Sequence, residues 1–219
     1  AMDPTHPAIK ERIRETAERF KRLGYEYIKI DFLTHGCAEA DYYYDPEVQT
    51  GMQAYNKGMA YLLEQMEGMY ITMAISPLFP SQYAHSRRIA CDAWAGIGDT
   101  EYTLNSLTYG WWLNQVYTYN DPDHLLLEPV SDGENRARIT SGVITGIFMN
   151  GDDLSYISGI QVAKDKARKF LTNEDINAIA KMGKSFRPVN GNMDGADFLF
   201  MHDTGKEVYL TAFNYSGYD

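Results

Sequence analysis

Two aspartates follow short β-rich runs, and each is preceded by a basic residue at an even spacing. Lys29 lies two residues before Asp31, and Arg88 lies four residues before Asp92. Side chains an even number of positions apart on a strand point to the same face, so each cation is expected beside its carboxylate. A neighbouring cation favours the ionised carboxylate, which is the form that acts as a nucleophile. The same spacing is also typical of a loop-capping Asp31 and of a structural ion pair between Arg88 and Asp92.

The second aspartate has an aromatic neighbour. Trp94 lies two residues after Asp92, and its apolar bulk would favour the protonated carboxyl that a general acid needs. Arg88 could orient a substrate hydroxyl or a carboxylate through a forked pair of hydrogen bonds.

A rigid acidic turn is the third group. Asp121 and Asp123 flank Pro122 directly after a short β-rich run. They could hold sugar hydroxyls or support an acid, although such a sequence is also typical of an ordinary turn. The spacing of an EF-hand calcium loop is absent, and Cys37 and Cys91 have no metal-binding spacing between them. We therefore predict neither a metal nor another cofactor.

Hydrophobic periodicity predicts the elements that must position these residues. Helices are predicted at residues 7–23, 50–66, 104–113, 136–146, 161–170 and 173–182. Strands are predicted at residues 25–30, 69–75, 88–91, 116–119 and 147–150, and a β-hairpin at residues 198–201 and 208–214. Strands that alternate with helices imply a mostly parallel sheet with crossover helices.

Polar or acidic residues stand at or just after the carboxyl end of all but one of the five strands. A (β/α)8 barrel concentrates its chemistry at that rim. An open doubly wound sheet would usually carry a glycine-rich phosphate loop, which the sequence lacks. Five strands do not close an eight-stranded barrel. The sequence therefore predicts an α/β fold that is a partial (β/α)8 TIM barrel, about strands 4–8, without its first three strands.

Charge narrows the class of partner. The chain of 219 residues has a formal net charge of −10, which argues against nucleic acid and against anionic membrane surfaces, since both reward Lys and Arg. No apolar run approaches the ~20 residues of a membrane span. A neutral sugar substrate is compatible with this composition.

Four motifs occur together and in order: YIKID at residues 27–31, RIACD with Trp94 at residues 88–94, NDPD at residues 120–123, and MNGDDLSYIS at residues 149–158. Together they resemble the α-galactosidase/melibiase group of retaining glycoside hydrolases, which includes the α-N-acetylgalactosaminidases. The resemblance covers nearly the whole chain. It implies hydrolysis of terminal α-galactosides in an oligosaccharide or glycoconjugate, without a cofactor.

The resemblance also implies roles for single residues. Asp31 matches the nucleophile and Asp92 the general acid/base, while Lys29 and Arg88 match residues that hydrogen-bond the sugar. The remaining expected substrate-binding residues are Trp94, Asp121 and Asp123, the last two in a supporting role.

The N-terminal residues and the resemblance together divide the chain. Residues 1–4 are expected to be a cloning scar, residues 5–185 the C-terminal half of a TIM-barrel catalytic domain, and residues 186–219 the start of a β-sandwich domain. Residues 76–80 do not clearly match the segment that separates galactose from N-acetylgalactosamine. The alternatives are therefore an α-N-acetylgalactosaminidase, an isomalto-oligosaccharide hydrolase, or an inactive half-barrel that self-associates or needs its N-terminal half. In a purely structural reading, the aspartates are caps at a barrel rim.

Overall fold

A computed structural model describes residues 2–146, 149–155, 159–191 and 194–216. The chain divides into two compact units, Ala1–Arg87 and Arg88–Asp219. The boundary falls inside the short strand Ser86–Arg88.

The first unit consists of two helices and parallel strands. Helix α1 (Pro7–Arg22) starts with a proline in its first turn and packs against α2 (Gly51–Gln65). A capping box closes the amino end of α2: the Thr50 hydroxyl accepts from the Gln53 amide, and the Gln53 side chain accepts from the Thr50 amide. Helix α2 buries one face, through residues that include Tyr55, Met59 and Leu62.

Strands β1 (Tyr27–Ile30) and β2 (Tyr70–Met73) pair in parallel, with Lys29 opposite Thr72. Strand β3 (Ser86–Arg88) begins beside β2, with Ser86 opposite Thr72. The Thr72 and Ser86 hydroxyls, both fully buried, share a hydrogen bond across this pair. A short 3-10 helix (Leu33–Cys37) follows β1.

The second unit continues from the end of β3. Its elements are α3 (Ile97–Gly110), a 3-10 helix (Trp111–Gln115), β4 (Tyr119–Asp121), α4 (Asp132–Thr145), α5 (Ile160–Leu171), α6 (Glu174–Lys181) and the strands β5 (Arg187–Pro188), β6 (Leu199–Asp203) and β7 (Val208–Ala212). Beside β4, the Ile89 amide donates to the Asp121 carbonyl at 3.0 Å. Strands β5, β6 and β7 form a separate antiparallel sheet.

The core of the second unit lies where α3 and α4 meet the antiparallel sheet. One buried cluster consists of Leu104, Leu107, Ile144, Phe186, Phe200 and Phe213. A second cluster joins the segment after β4 to α4 and contains Leu125, Leu127, Ile139 and Val143. Burial of this apolar surface is the main favourable term that holds α4 in place.

Most of the predicted elements are present, and the parallel strands and the separate hairpin are confirmed. The bounds of four predicted elements were wrong by three residues or more, among them α4, which starts at Asp132 and not at residue 136. The strand predicted at residues 88–91 lies at Ser86–Arg88, because its ladder to β2 starts at Ser86. The strand predicted at residues 116–119 lies at Tyr119–Asp121, because a 3-10 helix extends to Gln115. Helix α3 starts seven residues earlier than predicted.

The first turns of α3 contain polar residues, which is why the apolar periodicity did not predict them as helical. Thr100 and Thr103 are fully buried on α3, and the Thr103 hydroxyl donates to the Asp99 carbonyl. The strand predicted at residues 147–150 lies partly outside the described residues, since it includes residues 147 and 148. Closure of the parallel strands into a partial barrel stays a prediction. Among the described residues, none of the helices has both the length and the apolar character that crossing a bilayer requires.

Candidate active site

A left-handed residue follows three of the parallel-sheet strands at the same distance. Phe32, Ile75 and Asp123 have φ values of 58°, 42° and 72°, and each stands two positions after the last residue of β1, β2 or β4. They are the non-glycine residues with positive φ in the described part of the chain. This conformation is costly for residues with a Cβ, and it concentrates at functional sites. The unusual backbone therefore lies where the candidate chemistry is.

In the first unit, Asp31 directly follows β1 and is exposed. Its Oδ1 accepts a hydrogen bond from the Phe32 amide at 2.7 Å. Lys29 is half-buried on β1, two residues earlier. Both residues line a cavity of about 330 Å³ between β1 and the helices, whose apolar wall includes Ile13 of α1 and Leu62 of α2. Because the lining includes all of residues 28–31, it does not distinguish the two faces of β1, and the shared face of Lys29 and Asp31 stays a prediction.

Backbone hydrogen bonds hold the loops at these strand ends. The Ala74 amide donates to the Ile30 carbonyl at 2.8 Å, and the Thr34 amide donates to the Ile75 carbonyl at 2.9 Å. The second bond joins the loop that carries Asp31 to the loop after β2. Main-chain hydrogen bonds thus hold the chain on both sides of Asp31.

In the second unit, Arg88 connects two carboxylates. Its Nη1 lies 2.8 Å from Asp92 Oδ1 and 3.5 Å from Asp123 Oδ2. The Arg88 and Asp123 side chains are buried, at 8% and 3% exposure, whereas that of Asp92 is 66% exposed. A buried guanidinium therefore holds an accessible carboxylate. The sequence predicted that Arg88 and Asp92 lie on one strand. Strand β3 ends at Arg88, so their contact instead forms across a bend.

The acidic turn after β4 is buried. Asp121 Oδ1 accepts from the Asp123 amide at 2.8 Å, and Asp123 Oδ2 accepts from the Ala93 amide at 3.0 Å. Asp121 is fully buried. The turn therefore joins the loop after β3 to the loop after β4. The structure brings together Arg88, Asp92, Asp121 and Asp123.

Trp94 lies at the edge of this group. Its ring is 62% exposed and stands edge-on to His124, with centroids 6.4 Å apart. His124 Nδ1 lies 3.4 Å from Asp123 Oδ1. An exposed indole of this kind offers an apolar face on which a sugar ring could stack.

Sequence reasoning missed two residues of this group, His124 and Arg138. Fully buried Arg138 on α4 donates from Nη2 to the carbonyls of Pro122 and His124, at 2.9 and 2.8 Å. No local signal marks Arg138, because α4 carries polar residues both on its buried face, as at Ser141, and on its exposed face, as at Arg136.

The other motif residues that the structure describes, Asp152 and Asp153, follow the strand predicted at residues 147–150. Asp152 Oδ1 accepts from the amides of Leu127 and Glu128, at 2.9 and 3.1 Å. Asp153 is exposed and accepts from the Ser155 amide. Residues 156–158 of this motif lie outside the described residues. In the described ranges, no group of three or more His, Cys, Asp or Glu side chains is arranged to hold a metal ion.

The candidate nucleophile Asp31 with Lys29 belongs to the first unit, and Arg88, Asp92, Asp121 and Asp123 belong to the second. The two candidate catalytic carboxyl groups therefore lie in different units of the chain. Their spacing stays a prediction.

No protein-family model matches the chain. Solved structures do resemble it. The α-galactosidase TtGalA from Thermus thermophilus in complex with stachyose has a TM-score of 0.59 at 22% identity, over 80% of this chain and 40% of that one. The same enzyme in complex with p-nitrophenyl α-D-galactopyranoside has the same score and identity, over 80% of this chain and 38% of that one.

A third structure is Abp-WT, a GH27 β-L-arabinopyranosidase from Geobacillus stearothermophilus. Its TM-score is 0.61 at 12% identity, over 93% of this chain and 48% of that one. The chain thus spans less than half the length of the structures it matches. These likenesses show that it shares its fold with glycoside hydrolases, α-galactosidases among them.

Proposed function

We propose that this chain carries the catalytic carboxylates of a retaining glycoside hydrolase that acts on terminal α-linked galactosides. The observation that carries the proposal is the accessible Asp92 carboxylate held by the buried Arg88 guanidinium. Such an arrangement orients a carboxyl group and leaves it open to a substrate. The fold shared with α-galactosidases and the exposed position of Asp31 directly after β1 support the same reaction.

Retaining hydrolysis needs two carboxyl groups about 5–5.5 Å apart on opposite sides of the scissile bond, and we assign these roles to Asp31 and Asp92. The Asp31 carboxylate attacks the anomeric carbon and forms a glycosyl ester, while Asp92 protonates the departing glycosidic oxygen. Asp92 then takes a proton from water, and the water oxygen displaces Asp31 from the anomeric carbon. The sugar leaves with its original configuration, and both carboxyl groups return to their starting states.

The neighbouring residues have supporting roles in this proposal. Lys29, two residues before Asp31, hydrogen-bonds the sugar. Arg88 holds Asp92 and hydrogen-bonds a sugar hydroxyl. Trp94 offers its face to the leaving group, and Asp121 and Asp123 keep Arg88 in place.

Substrate choice rests on the neighbours' substrates. Two of the similar structures hold stachyose or an aryl α-galactoside, and the third is named for β-L-arabinopyranosides. A β-L-arabinopyranoside has the ring of an α-D-galactoside without its hydroxymethyl group, so comparing the two aryl glycosides measures how strongly that group is bound. N-acetylgalactosamine and isomalto-oligosaccharides are further candidates for the same chemistry.

The test is turnover of p-nitrophenyl α-D-galactopyranoside by the chain and by three variants. Asp31→Asn and Asp92→Asn should each lower kcat by roughly a thousandfold or more, because each removes one half of the catalytic pair. Asp41→Asn is the matched control, since Asp41 is another exposed carboxylate of the first unit. Retained turnover in Asp31→Asn would refute the nucleophile assignment.

Azide separates the two roles. In Asp31→Asn it attacks the sugar directly and should give a β-galactosyl azide. In Asp92→Asn it intercepts the glycosyl-enzyme and should give an α-galactosyl azide. Identical products from both variants would show that the roles are wrongly divided.

A second candidate is an inactive half-barrel. The observation that favours it is that the chain spans less than half of each of the three similar structures described above. Size-exclusion chromatography on the fractions assayed for turnover separates the two cases. A monomer with full activity refutes the half-barrel, whereas an inactive, self-associating chain supports it.

A further inference from the structure

Arg138 is a charged side chain in the interior of the second unit. It is fully buried on α4, where its Nη2 donates to the carbonyls of Pro122 and His124 and its Nη1 donates to Ser141 Oγ at 3.1 Å. Both carbonyls belong to the acidic turn, on either side of Asp123. A single guanidinium nitrogen therefore binds the backbone of the turn on both sides of Asp123.

The residue between those carbonyls has a left-handed backbone. Asp123 has a φ of 72°, a conformation that costs of order 1–2 kcal/mol for a residue with a Cβ and persists only when its surroundings enforce it. In that conformation its carboxylate reaches the Ala93 amide, Arg88 and the His124 ring. The turn geometry thus positions the Asp123 carboxylate, which contacts Arg88, the ion-pair partner of Asp92, and Ala93, the next residue along the chain.

A packing role alone does not explain a guanidinium at this place. Burial lowers the pKa of Arg138 to about 10, against the opposing influence of Asp123, Asp99 and Asp121, so the group remains charged at neutral pH. Charged groups in a core are often less stabilising than apolar residues of the same volume. A charge kept here is better explained by the directed hydrogen bonds that it makes.

We propose that Arg138 is a positioning residue: it fixes the left-handed turn at Asp123 and, through Asp123 and Arg88, sets the orientation of the Asp92 carboxyl group. The inference rests on the proposed function only in taking Asp92 as the general acid/base. The clamp on the turn is a separate claim that can be tested without substrate.

The test is amide hydrogen exchange of the whole chain, read at two reporters. The Ala93 amide donates to Asp123, and the Phe213 amide donates to the Phe198 carbonyl at 2.8 Å in the antiparallel sheet. Arg138→Met keeps the volume and removes the donors. It should lower protection of Ala93 by about tenfold or more, as expected for loss of hydrogen bonds from a charged group, and leave Phe213 within about twofold.

Two further variants separate donors from packing. Arg138→Lys keeps a cation that can donate to both carbonyls and should restore part of the Ala93 protection. Arg136→Met is the matched control, because Arg136 is exposed on the same helix and lies over the Phe170 ring. Equal loss at Ala93 and Phe213, no loss at Ala93, or a Met variant better protected than the Lys variant would each overturn the proposal.

Turnover kinetics test the link between Arg138 and Asp92 independently. In the active chain, Arg138→Met should lower kcat for p-nitrophenyl α-D-galactopyranoside more than it raises KM, because the acid is misplaced and not the sugar. A change confined to KM would overturn the link to Asp92. A wild-type chain without turnover would contradict the proposed function, and the exchange data would still decide whether Arg138 holds the turn.

Discussion

The loop after β1 and the turn after β4 both place an aspartate at the end of a parallel-sheet strand, but by different means. Asp31 is exposed, and its carboxylate accepts from the adjacent Phe32 amide. Asp123 is 3% exposed and lies against Arg88, Ala93 and His124. An exposed carboxylate can react and adds little to stability, whereas a buried one orients its neighbours and must be fully paired.

The same contrast appears in the backbone. After β1 the left-handed residue is Phe32, whose side chain is 59% exposed, and the loop is held by main-chain bonds such as that from Thr34 to Ile75. After β4 the left-handed residue is Asp123 itself, and a buried arginine side chain holds it. In the first unit the left-handed residue adjoins the candidate reactive carboxylate, whereas in the second it is a buried carboxylate that supports the candidate reactive Asp92 through Arg88.

The largest difference is expected when each carboxylate is removed. Asp123→Ala leaves the buried Arg88 charge and the Ala93 amide without that partner, and should lower the free energy of unfolding by about 3 kcal/mol or more. Asp31→Ala should change it by less than about 0.5 kcal/mol, because Asp31 is exposed. Urea denaturation of both variants measures this. Similar losses in the two would abolish the contrast.

A pH experiment sharpens the contrast with a second buried carboxylate, Asp197. Burial alone would raise the pKa of Asp197, but hydrogen bonds from the amides of Gly191, Leu199 and Asn190 and from the Asn190 side chain lower it below its ordinary value. The carboxylate therefore stabilises the fold above that ordinary value, and this stability is lost as the pH falls through the lowered pKa.

Asp197→Asn should accordingly cost about 2 kcal/mol at pH 7, since it weakens charge-assisted hydrogen bonds. The difference from the wild type should shrink as the pH falls toward 3. Unfolding free energies at a series of pH values provide the measurement, with Asp31→Asn at pH 7 as the control. A penalty that stays constant down to pH 3 would rule out this carboxylate as the origin.

The smallest effect concerns the left-handed backbone of the first unit. Phe32→Gly should raise the free energy of unfolding by about 0.5–1 kcal/mol, because relief of the strained φ exceeds the entropic cost of glycine. Gly24→Ala is the opposite substitution. Gly24 has a φ of 81°, and a Cβ at this position would meet no described atom within 4 Å. The alanine variant should therefore lose about the same amount of unfolding free energy, through backbone strain alone. Thermal unfolding of both variants tests this, and a loss in Phe32→Gly would show that its ring packs more than its exposure suggests.

Local sequence patterns predicted much of the fold. The run before Asp31, the helical periodicities of α1 and α2, and the alternation in β6 and β7 depend on neighbours along the chain, and these elements are present. The end of β3 was wrong by three residues because it depends on where Ser86 pairs with Thr72, a contact between distant segments.

The site was predicted less completely for the same reason. Arg88 beside Asp92 followed from spacing, and their contact is confirmed although the strand geometry was not. Arg138 and His124 were missed, because a buried arginine in a helix looks like a surface residue until its partners at Pro122 and His124 are known. Hydrogen bonds from side chains to distant carbonyls leave no local signature.

The left-handed residues two positions beyond β1, β2 and β4 have a practical consequence for protein engineering. Each one divides its loop into a short stem, fixed by the strand and the turn, and a distal part that begins after Phe32, Ile75 or Asp123. A mutational library that randomises only the distal parts would leave the stems unchanged. New substrate preferences could then be selected without rebuilding the scaffold that presents the carboxylates.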